Sequence, residues 1–412
     1  MTKTLGIFCG GGPAPGLNGV ISSATIEAMN RGWRVLGLRD GLRWIGEGRT
    51  DQVRELDINA VSRIHFTGGS VLGISRRGNV DDPEELGRMV EALKELGIDA
   101  LISIGGDGTS HAARVIARAI DIPVVHVPKT IDNDIPLPGG MSTFGFQTAR
   151  DFGVEVVQSI MEDARTCQRW YFVVTMGRNA GHLAMGIGKA AGVPLTLIPE
   201  EFEDNCSIDD YAKLCEASIL RRLMLGRRDG VVVIAEGLAH KLRPAELHLS
   251  DECTINAHGH VRLNDLPLGF ALRQKVAWTF EQRKVPVTIM EKNIGYELRC
   301  KDPVPFDIEY TRDLGFGAMR AILRGQRQGI VCLEMGKIRV IPFEEFEDRR
   351  SGRTKVRLVD LDSESYEVSL AYQMRLRDSD FENPETMQKL SEVSGMSPEY
   401  ITERYRGVAT RS

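Results

Sequence analysis

Two stretches, "LISIGGDGTS" at residues 101–110 and "VVHVPKTIDND" at residues 124–134, share one pattern: an apolar run that ends abruptly in small residues and carboxylates. The runs are short and rich in Val and Ile, which predicts buried strands. The segment between them, "TSHAARVIARAID", has a helical apolar period. Strand, helix and strand in this order predict a βαβ unit with parallel strands. The carboxylates of both stretches then lie at one edge of a sheet, where such sheets bind ligands.

The same alternation extends in both directions along the chain. Upstream, "TLGIFC" and "RVLGLRD" are predicted strands, and "DPEELGRMVEALKELGID" is a predicted helix with Asp82 as its N-cap and Pro83 in its first turn. Downstream, "RWYFVVTMG", "PLTLIPE" and "GVVVIAEG" are predicted strands separated by helices, and "GIVCLEMGKIRVIPF" resembles a hairpin. The sequence therefore predicts an α/β fold: two Rossmann-like lobes with mainly parallel sheets and an active-site cleft between them.

A length of 412 residues favours two domains. The predicted boundaries give an N-terminal α/β lobe at 1–140, completed by part of 300–350, and a second α/β lobe at 141–300. Residues 330–412 are predicted as a C-terminal extension.

Composition restricts the class of protein. Hydrophobic residues at 42% and charged residues at 26% are typical of a globular protein in water. The net charge of -5 does not favour a nucleic-acid or membrane-surface partner. Seven cysteines without a CxxC pair disfavour a disulfide framework or a zinc site. The cysteine pattern fits a reducing cytoplasm, which is the expected location. No apolar run approaches the ~18 residues that span a bilayer.

The glycine cluster "GGGPAPG" follows the first predicted strand and contains Gly11. Glycines let backbone N–H groups approach phosphate oxygens, and the next helix adds its positive N-terminal end. Pro13 and Pro15 interrupt a GxGxxG pattern, and no GKS or GKT follows. The alternative interpretation is a tight strand-to-helix turn.

The second cluster, "GGDGT", combines Gly106 and Gly108 with Asp107 and Thr109. A lone carboxylate beside a phosphate-sized gap suits Mg²⁺, which usually takes one or two protein carboxylates together with phosphates and water. Thr109 is either a phosphate contact or the cap of the next helix. Lipid and NAD kinases also contain this motif.

The third cluster, "PKTIDND", places Asp132 and Asp134 on the same side of the chain if the segment is extended. One carboxylate would take a proton from a hydroxyl, and the other would organise a metal or the loop. Turns stabilised by Asn133 and Asp134 explain part of the segment. They do not readily explain Lys129 and two acids around a threonine.

Taken together, "GGDGT", "PKTIDND", "TFGFQTAR", "MGR", "IPE" and "GYELRCKDPVPFD" occur in the order seen in the phosphofructokinase family, which the chain resembles over roughly residues 1–330. The resemblance implies a catalytic set, in which Asp132 accepts the proton of the sugar 1-hydroxyl: Asp132, Arg178, Thr130, Asp134 and Lys129. It implies a donor-binding set, in which Asp107 holds Mg²⁺: Gly11, Arg76, Gly106, Asp107, Gly108 and Thr109. It implies a sugar-binding set: Thr130, Asp132, Arg169, Met176, Gly177, Arg178, Glu200, Tyr296 and Arg299.

The resemblance also implies an oligomer. Arg169 is similar to an arginine that the family lends to the neighbouring subunit, so a homodimer or homotetramer is expected. Tyr296 replaces a more usual histidine, and Met290 stands where better-known bacterial enzymes lend a second arginine.

The implied reaction is that of a 6-phosphofructokinase, which transfers the terminal phosphate of ATP to the 1-hydroxyl of fructose 6-phosphate in glycolysis. Two positions bear on the donor. Gly108 leaves room for the α-phosphate of ATP, whereas Lys129 resembles the pyrophosphate-using branch, although it also occurs in some ATP-using branches. Because a cation excludes nothing, the sequence favours ATP, with a pyrophosphate-dependent enzyme as the alternative. Sedoheptulose 7-phosphate stays open as a second acceptor.

Three rival classes fit less well. A NAD or lipid kinase should lack "PKTIDND" and "MGR". A non-catalytic regulatory subunit should have lost Asp107, Asp132 or Arg178, and all three are present. A sugar-phosphate binding module has no use for a metal-binding acid and a base together.

Overall fold

The computed structural model describes residues 2–243, 246, 267–346 and 354–410. The strands of this part are β1 (Thr4–Cys9), β2 (Arg34–Leu38), β3 (Val53–Glu55), β4 (Ala100–Gly105), β5 (Val124–Pro128), β6 (Trp170–Thr175), β7 (Leu195–Leu197), β8 (Gly230–Ala235), β9 (Ile289–Ile294), β10 (Gln328–Glu334) and β11 (Lys337–Ile341). The helices are α1 (Leu17–Asn30), α2 (Arg43–Gly46), α3 (Ile58–Val61), α4 (Pro83–Glu95), α5 (Asp107–Ala119), α6 (Phe146–Cys167), α7 (His182–Ala191), α8 (Ile208–Met224), α9 (Leu268–Gln282), α10 (Pro305–Leu323), α11 (Phe343–Phe346), α12 (Glu364–Ala371), α13 (Asp378–Glu382), α14 (Pro384–Ser394) and α15 (Pro398–Tyr405).

The chain folds into two compact units, each built from two separate segments. Unit 1 comprises Met1–Ala149 and Tyr296–Arg357, and unit 2 comprises Arg150–Gly295 and Leu358–Ser412. The predicted C-terminal extension at 330–412 is therefore divided at Arg357 rather than forming a region of its own. Its residues 347–353 lie outside the described part of the chain.

Unit 1 contains a sheet with the strand order β11-β10-β5-β4-β1-β2-β3. The inner strands are parallel, and the two edge strands, β3 and β11, are antiparallel to their neighbours. Every residue of β1, β4 and β5 is buried, as expected for parallel strands covered on both faces. Helices α1 and α10 approach closely, since a Cβ on Gly19 would lie 2.2 Å from the Thr311 hydroxyl. The α/β architecture predicted from the sequence is confirmed.

Unit 2 contains a parallel sheet with the order β7-β8-β6-β9. Its core includes the fully buried Trp170 and Tyr211. Strand β9 is absent from the sequence prediction. Only its two ends, Ile289 and Ile294, are buried, so it lacks both an apolar run and a strict alternation.

The last helices complete unit 2 by packing against α8. Glu216 of α8 is fully buried, and its carboxylate accepts hydrogen bonds from Arg404 Nε at 2.8 Å and from the Tyr405 hydroxyl at 2.9 Å. Two of these helices start at an N-cap followed by proline: Asn383 precedes α14 and Ser397 precedes α15. The C-terminal segment is thus tied into a hydrophobic core.

Several smaller predictions can be compared with the structure. Asp82 caps α4 by accepting a hydrogen bond from the Glu84 amide at 3.0 Å, as predicted. Strands β10 and β11 form the predicted hairpin. Among the described residues, no helix has the length and apolar character needed to cross a bilayer. The cysteines in that part form no disulfide, and Cys253 lies outside it.

Candidate active site

Three loops meet at the carboxyl edge of the unit 1 sheet because they follow the adjacent strands β1, β4 and β5. Gly10 donates its N–H to the carbonyl of Ile104 at 2.9 Å, which joins the first loop to β4. Lys129 donates its N–H to the carbonyl of Gly105 at 2.8 Å, which joins the third loop to the second. The glycine cluster, the "GGDGT" motif and the "PKTIDND" motif are therefore neighbours, as the sequence predicted.

The glycine cluster is closely packed against the second loop. Gly11 has φ +83°, a conformation that favours glycine, and a Cβ on Gly10 would lie 2.4 Å from the Thr109 hydroxyl oxygen. Ser75 forms a parallel bridge with Gly10, which brings the adjacent Arg76 to this side of the sheet. Thr109 is buried beneath the glycines, and the N-cap of α5 is Gly106, so the alternative interpretation of Thr109 as the cap is wrong.

Asp107 lies in the first turn of α5, exposed to solvent. Its Oδ1 accepts hydrogen bonds from the Thr354 hydroxyl and, at 3.3 Å, from the Thr354 N–H. An exposed carboxylate of this kind fits Mg²⁺ that arrives with a phosphate donor, because Mg²⁺ keeps most of its water and phosphate ligands. A Cβ on the neighbouring Gly108 would meet no atom within 4 Å.

Lys129 is buried, with 6% of its surface exposed, and its Nζ donates to the Gly12 carbonyl at 2.6 Å. Burial, together with the smaller effect of the positive charge of Arg299, lowers the pKa of Lys129 to about 8. Arg299 itself reaches the glycine cluster, since a Cβ on Gly12 would lie 3.4 Å from its guanidinium carbon. Two cations therefore approach the same glycine, where a phosphate group would relieve their repulsion.

The "PKTIDND" loop is held by a network of local hydrogen bonds. The Asp132 N–H donates to the Thr130 hydroxyl at 3.0 Å, and the Thr143 N–H donates to Asn133 Oδ1 at 3.0 Å. The Thr143 hydroxyl donates to the Thr130 carbonyl at 2.7 Å. Asn133 has φ +58°, so the segment is not extended throughout, and the simple alternation assumed for Asp132 and Asp134 does not apply. Both aspartates are nevertheless half-exposed, whereas Asn133 is buried.

In unit 2, the "MGR" motif follows β6 and lies beside the end of β8. Thr175 pairs with Ala235, so Met176 and Glu236 are the next residues on the two adjacent strands. Gly177 has φ +135°, and its N–H donates to Glu236 Oε1 at 3.3 Å. Sequence reasoning missed Glu236. The available signal was an acid placed directly after a fully buried parallel strand.

Glu200, predicted as a sugar contact, binds backbone amides through its carboxylate. Its Oε1 accepts hydrogen bonds from the Gly181 N–H at 2.9 Å and from the Val359 N–H at 2.9 Å. The next residue, Glu201, forms an ion pair with Arg375 in which the side chains are only 8% and 7% exposed. Glu200 thus binds backbone amides and Glu201 binds a buried guanidinium group, whereas Glu236 contacts the "MGR" segment.

The remaining predicted sugar-binding residues are dispersed. Arg169 precedes β6 and therefore lies at the sheet edge opposite to Met176, Gly177 and Arg178. It forms an ion pair with Asp163 at 2.7 Å, and hydrogen bonds from Tyr171 and Arg169 lower the pKa of Asp163. Tyr296 belongs to unit 1 and is exposed, and the Arg299 guanidinium carbon lies 5.2 Å from its ring centroid. Arg169 is therefore separated from the "MGR" segment by the length of β6.

Comparison with known proteins gives a consistent result. The family model described as Phosphofructokinase matches residues 4–322. Two relatives named pyrophosphate–fructose 6-phosphate 1-phosphotransferase are similar over 98% of this chain. One, from Thermotoga maritima, is 47% identical over 98% of its own length, and the other, from Naegleria fowleri, is 43% identical over 95% of its own length. A protein named ATP-dependent 6-phosphofructokinase 2 from Streptomyces coelicolor is 35% identical over 83% of this chain and 94% of its own length.

Solved structures have the same fold. A structure of pyrophosphate-dependent phosphofructokinase from Marinobacter aquaeolei aligns with a TM-score of 0.66 at 16% identity, and the alignment covers 90% of this chain and 91% of that one. The sequence family, the full-length relatives and the arrangement of strands agree, and the chain belongs to the phosphofructokinase family.

Proposed function

We propose that the protein transfers a phosphoryl group from inorganic pyrophosphate to the 1-hydroxyl of fructose 6-phosphate. The observation that carries this proposal is the 47% identity, over 98% of both chains, to a relative named for that reaction. The similarity includes the residues after 322, which the family model does not match. The relative named as ATP-dependent matches a smaller share of the chain at lower identity.

This donor differs from the ATP favoured by the sequence alone. That expectation depended on Gly108, which removes an obstacle to the α-phosphate of ATP. Open space at Gly108 admits a small donor as well as a large one, so it does not select between them. Lys129 and Arg299 supply positive charge at the glycine cluster, which suits a donor made only of phosphate groups.

In the proposed reaction, Asp132 accepts the proton of the sugar 1-hydroxyl while that oxygen attacks one phosphorus of pyrophosphate. The bridging P–O bond breaks, and the other phosphate leaves as orthophosphate. The loop around Gly11, together with Lys129 and Arg76, holds the pyrophosphate. Arg178 stabilises charge on the transferred group. Mg²⁺, when bound at Asp107 with the donor, would neutralise phosphate charge. Thr130 and Asp134 keep the acceptor and the loop in place.

Recognition of the sugar is assigned to Met176, Gly177 and Glu236, with Glu236 in the role first predicted for Glu200. Recognition of the 6-phosphate is assigned to Tyr296 and Arg299. Arg169 acts in a neighbouring subunit of a homo-oligomer.

The test is an initial-rate comparison of pyrophosphate and ATP with fructose 6-phosphate and Mg²⁺. We expect kcat/KM for pyrophosphate to exceed that for ATP by at least about 100-fold, equivalent to ~2.7 kcal/mol. A larger kcat/KM for ATP would make the protein an ATP-dependent 6-phosphofructokinase, the function first expected from the sequence.

Gly108→Asp is the matched variant for this comparison. The site has room for the side chain, so the fold should be retained. The added carboxylate occupies the place that the α-phosphate of ATP needs. Pyrophosphate activity should survive this change, and any ATP activity of the wild type should be lost.

A further inference from the structure

Arg357 lies past the residues matched by the family model, yet it contacts the "PKTIDND" loop. Its Nε and Nη2 donate to the Asn133 carbonyl at 3.0 and 2.8 Å, and its Nη1 donates to the Met141 carbonyl at 2.9 Å. Its backbone N–H donates to the Asp134 carbonyl at 2.7 Å. One residue thus satisfies three carbonyl groups on the two sides of the loop that carries Asp132.

The loop needs such support because of its backbone conformation. Asn133 has φ +58°, a left-handed conformation that is strained for most residues other than glycine and that asparagine keeps when its surroundings hold it in place. The Thr143 N–H holds the Asn133 side chain, and Arg357 holds the Asn133 carbonyl. Because Asn133 stands between Asp132 and Asp134, its backbone angles set the direction of both carboxyl groups.

Arginine is suited to this position by its geometry. A guanidinium group presents five donors in a fixed plane and can reach two separate carbonyls at once, whereas a lysine ammonium acts as a single point. Burial of the guanidinium lowers the pKa of Arg357, and the negative charge of Asp134 opposes that effect. The cost of burying this charge is offset by its hydrogen bonds to the loop.

The same segment also reaches the second candidate loop. Three residues before Arg357, Thr354 donates its hydroxyl and its N–H to Asp107 Oδ1. A short segment therefore contacts both the predicted metal-binding loop and the predicted catalytic loop. This segment lies after residues 4–322, the part of the chain matched by the family model.

We propose that Arg357 is a positioning residue, which fixes the Thr130–Asp134 loop so that Asp132 meets the acceptor hydroxyl. This proposal rests on the phosphotransferase function proposed above. Arg357 acts through the loop backbone and does not touch the substrate. Its loss should therefore lower kcat more than it raises the KM for fructose 6-phosphate.

The test compares three variants of the full chain with the wild type. Arg357→Ala should lower kcat about 100-fold, the size expected when a reacting group is displaced by about 1 Å. Arg357→Lys keeps the charge and roughly the length of the side chain but loses the planar set of donors. Its kcat should lie between those of Arg357→Ala and the wild type. Arg34→Ala is the matched control, because it removes an exposed arginine of unit 1 that is bonded to Glu55 at 2.9 Å, and it should leave kcat unchanged.

Added guanidinium ion gives a readout that a loss of stability would not produce. At concentrations below those that unfold the protein, guanidinium should restore part of the activity lost in Arg357→Ala. It should not raise the activity of Arg34→Ala. An Arg357→Ala kcat within threefold of wild type, or the absence of rescue with the loop unaltered, would overturn the proposal.

Hydrogen exchange separates this proposal from the proposed function. In Arg357→Ala, exchange of the Thr143 amide should become faster, while amides of β5 stay protected. If the wild type is inactive with both pyrophosphate and ATP, the proposed function fails. Faster exchange at Thr143 would then still support a loop-holding role, and unchanged exchange would refute it.

Discussion

The two units hold their strand-end acids in different ways. In unit 1, the contacts around Asp132 bind the backbone and neighbouring side chains: the Asp132 amide donates to Thr130, and Arg357 donates to the Asn133 carbonyl. In unit 2, the contacts around Glu200 and Glu201 bind the carboxylates themselves, which accept hydrogen bonds from backbone amides and from Arg375. Both acids of the second pair therefore act as structural links.

This difference separates two kinds of acid. The carboxylates of the first kind link parts of the fold, and those of the second kind are positioned by a loop whose backbone is fixed. A carboxylate that accepts several backbone or guanidinium hydrogen bonds links the chain segments that donate them. A loop fixed through its main-chain groups instead sets the position of every side chain that it carries. The sequence motif "IPE" resembles a site motif, yet the contacts of Glu200 place it in the first class.

Asp132→Asn should have the largest effect of the variants that test this difference between the units. The change removes the proposed base while keeping the shape of the side chain, so kcat should fall about 10³-fold. Binding of fructose 6-phosphate, measured by calorimetry, should change little. A variant that keeps most of the wild-type kcat would show that the held loop does not carry the base.

Arg375→Ala tests the structural half of the comparison. It leaves the buried Glu201 carboxylate with the Tyr366 hydroxyl but without its cationic partner, which should lower the free energy of unfolding by about 3 kcal/mol. The measurement is urea denaturation followed by circular dichroism. Arg34→Ala serves again as control, because its exposed ion pair contributes only about 0–1 kcal/mol. Equal losses in the two variants would contradict the structural role of Glu201.

A further pair of variants compares Glu236 with Glu200, the acid first predicted to contact the sugar. Glu236→Gln weakens a charged hydrogen-bond acceptor beside Gly177, and should raise the KM for fructose 6-phosphate about tenfold or more. Glu200→Gln should affect thermal stability and leave that KM nearly unchanged. The opposite pattern in initial-rate measurements would restore the sugar-binding role first predicted for Glu200.

The smallest effect concerns pH and Lys129. With a pKa of about 8, its side chain is mostly charged near neutral pH and loses the charge as the pH rises through about 8. Attraction for an anionic donor should weaken over the same range, so kcat/KM for the donor should fall. The kcat/KM of Lys129→Met for the donor, divided by that of the wild type, should rise towards alkaline pH because only the wild type loses a charge. A constant ratio across the range would exclude titration of Lys129 as the cause.

Much of the fold could be predicted because its central strands are short, buried and apolar. The run "TLGIFC" corresponds to β1 without error, and the ends of β1, β4 and β5 locate the three loops. Strand β9 was missed because its middle residues are exposed at a sheet edge. The last helices were also missed, although Asn383 and Ser397, each followed by proline, are recognisable start signals.

The candidate site was predicted where chemistry follows directly from strand ends, and was missed where it depends on tertiary contacts. Arg357 and Asn133 are separated by 224 positions, and no local pattern relates them. Glu236 follows a buried strand as a single acid, without a motif around it. The reassignment of Glu200 came from two backbone amides, one of them at Val359, which sequence spacing does not reveal.

The discontinuity of both units has a consequence for biosynthesis. Strand β10 joins the sheet beside β5, and α14 and α15 close the core around α8, so each unit waits for a segment made long after its first strands. Until then a nascent chain exposes the open edge of β5 and the apolar surface of α8, which are surfaces that promote aggregation. Each unit therefore completes its fold only after the second of its two segments has been made, and not when the first segment emerges.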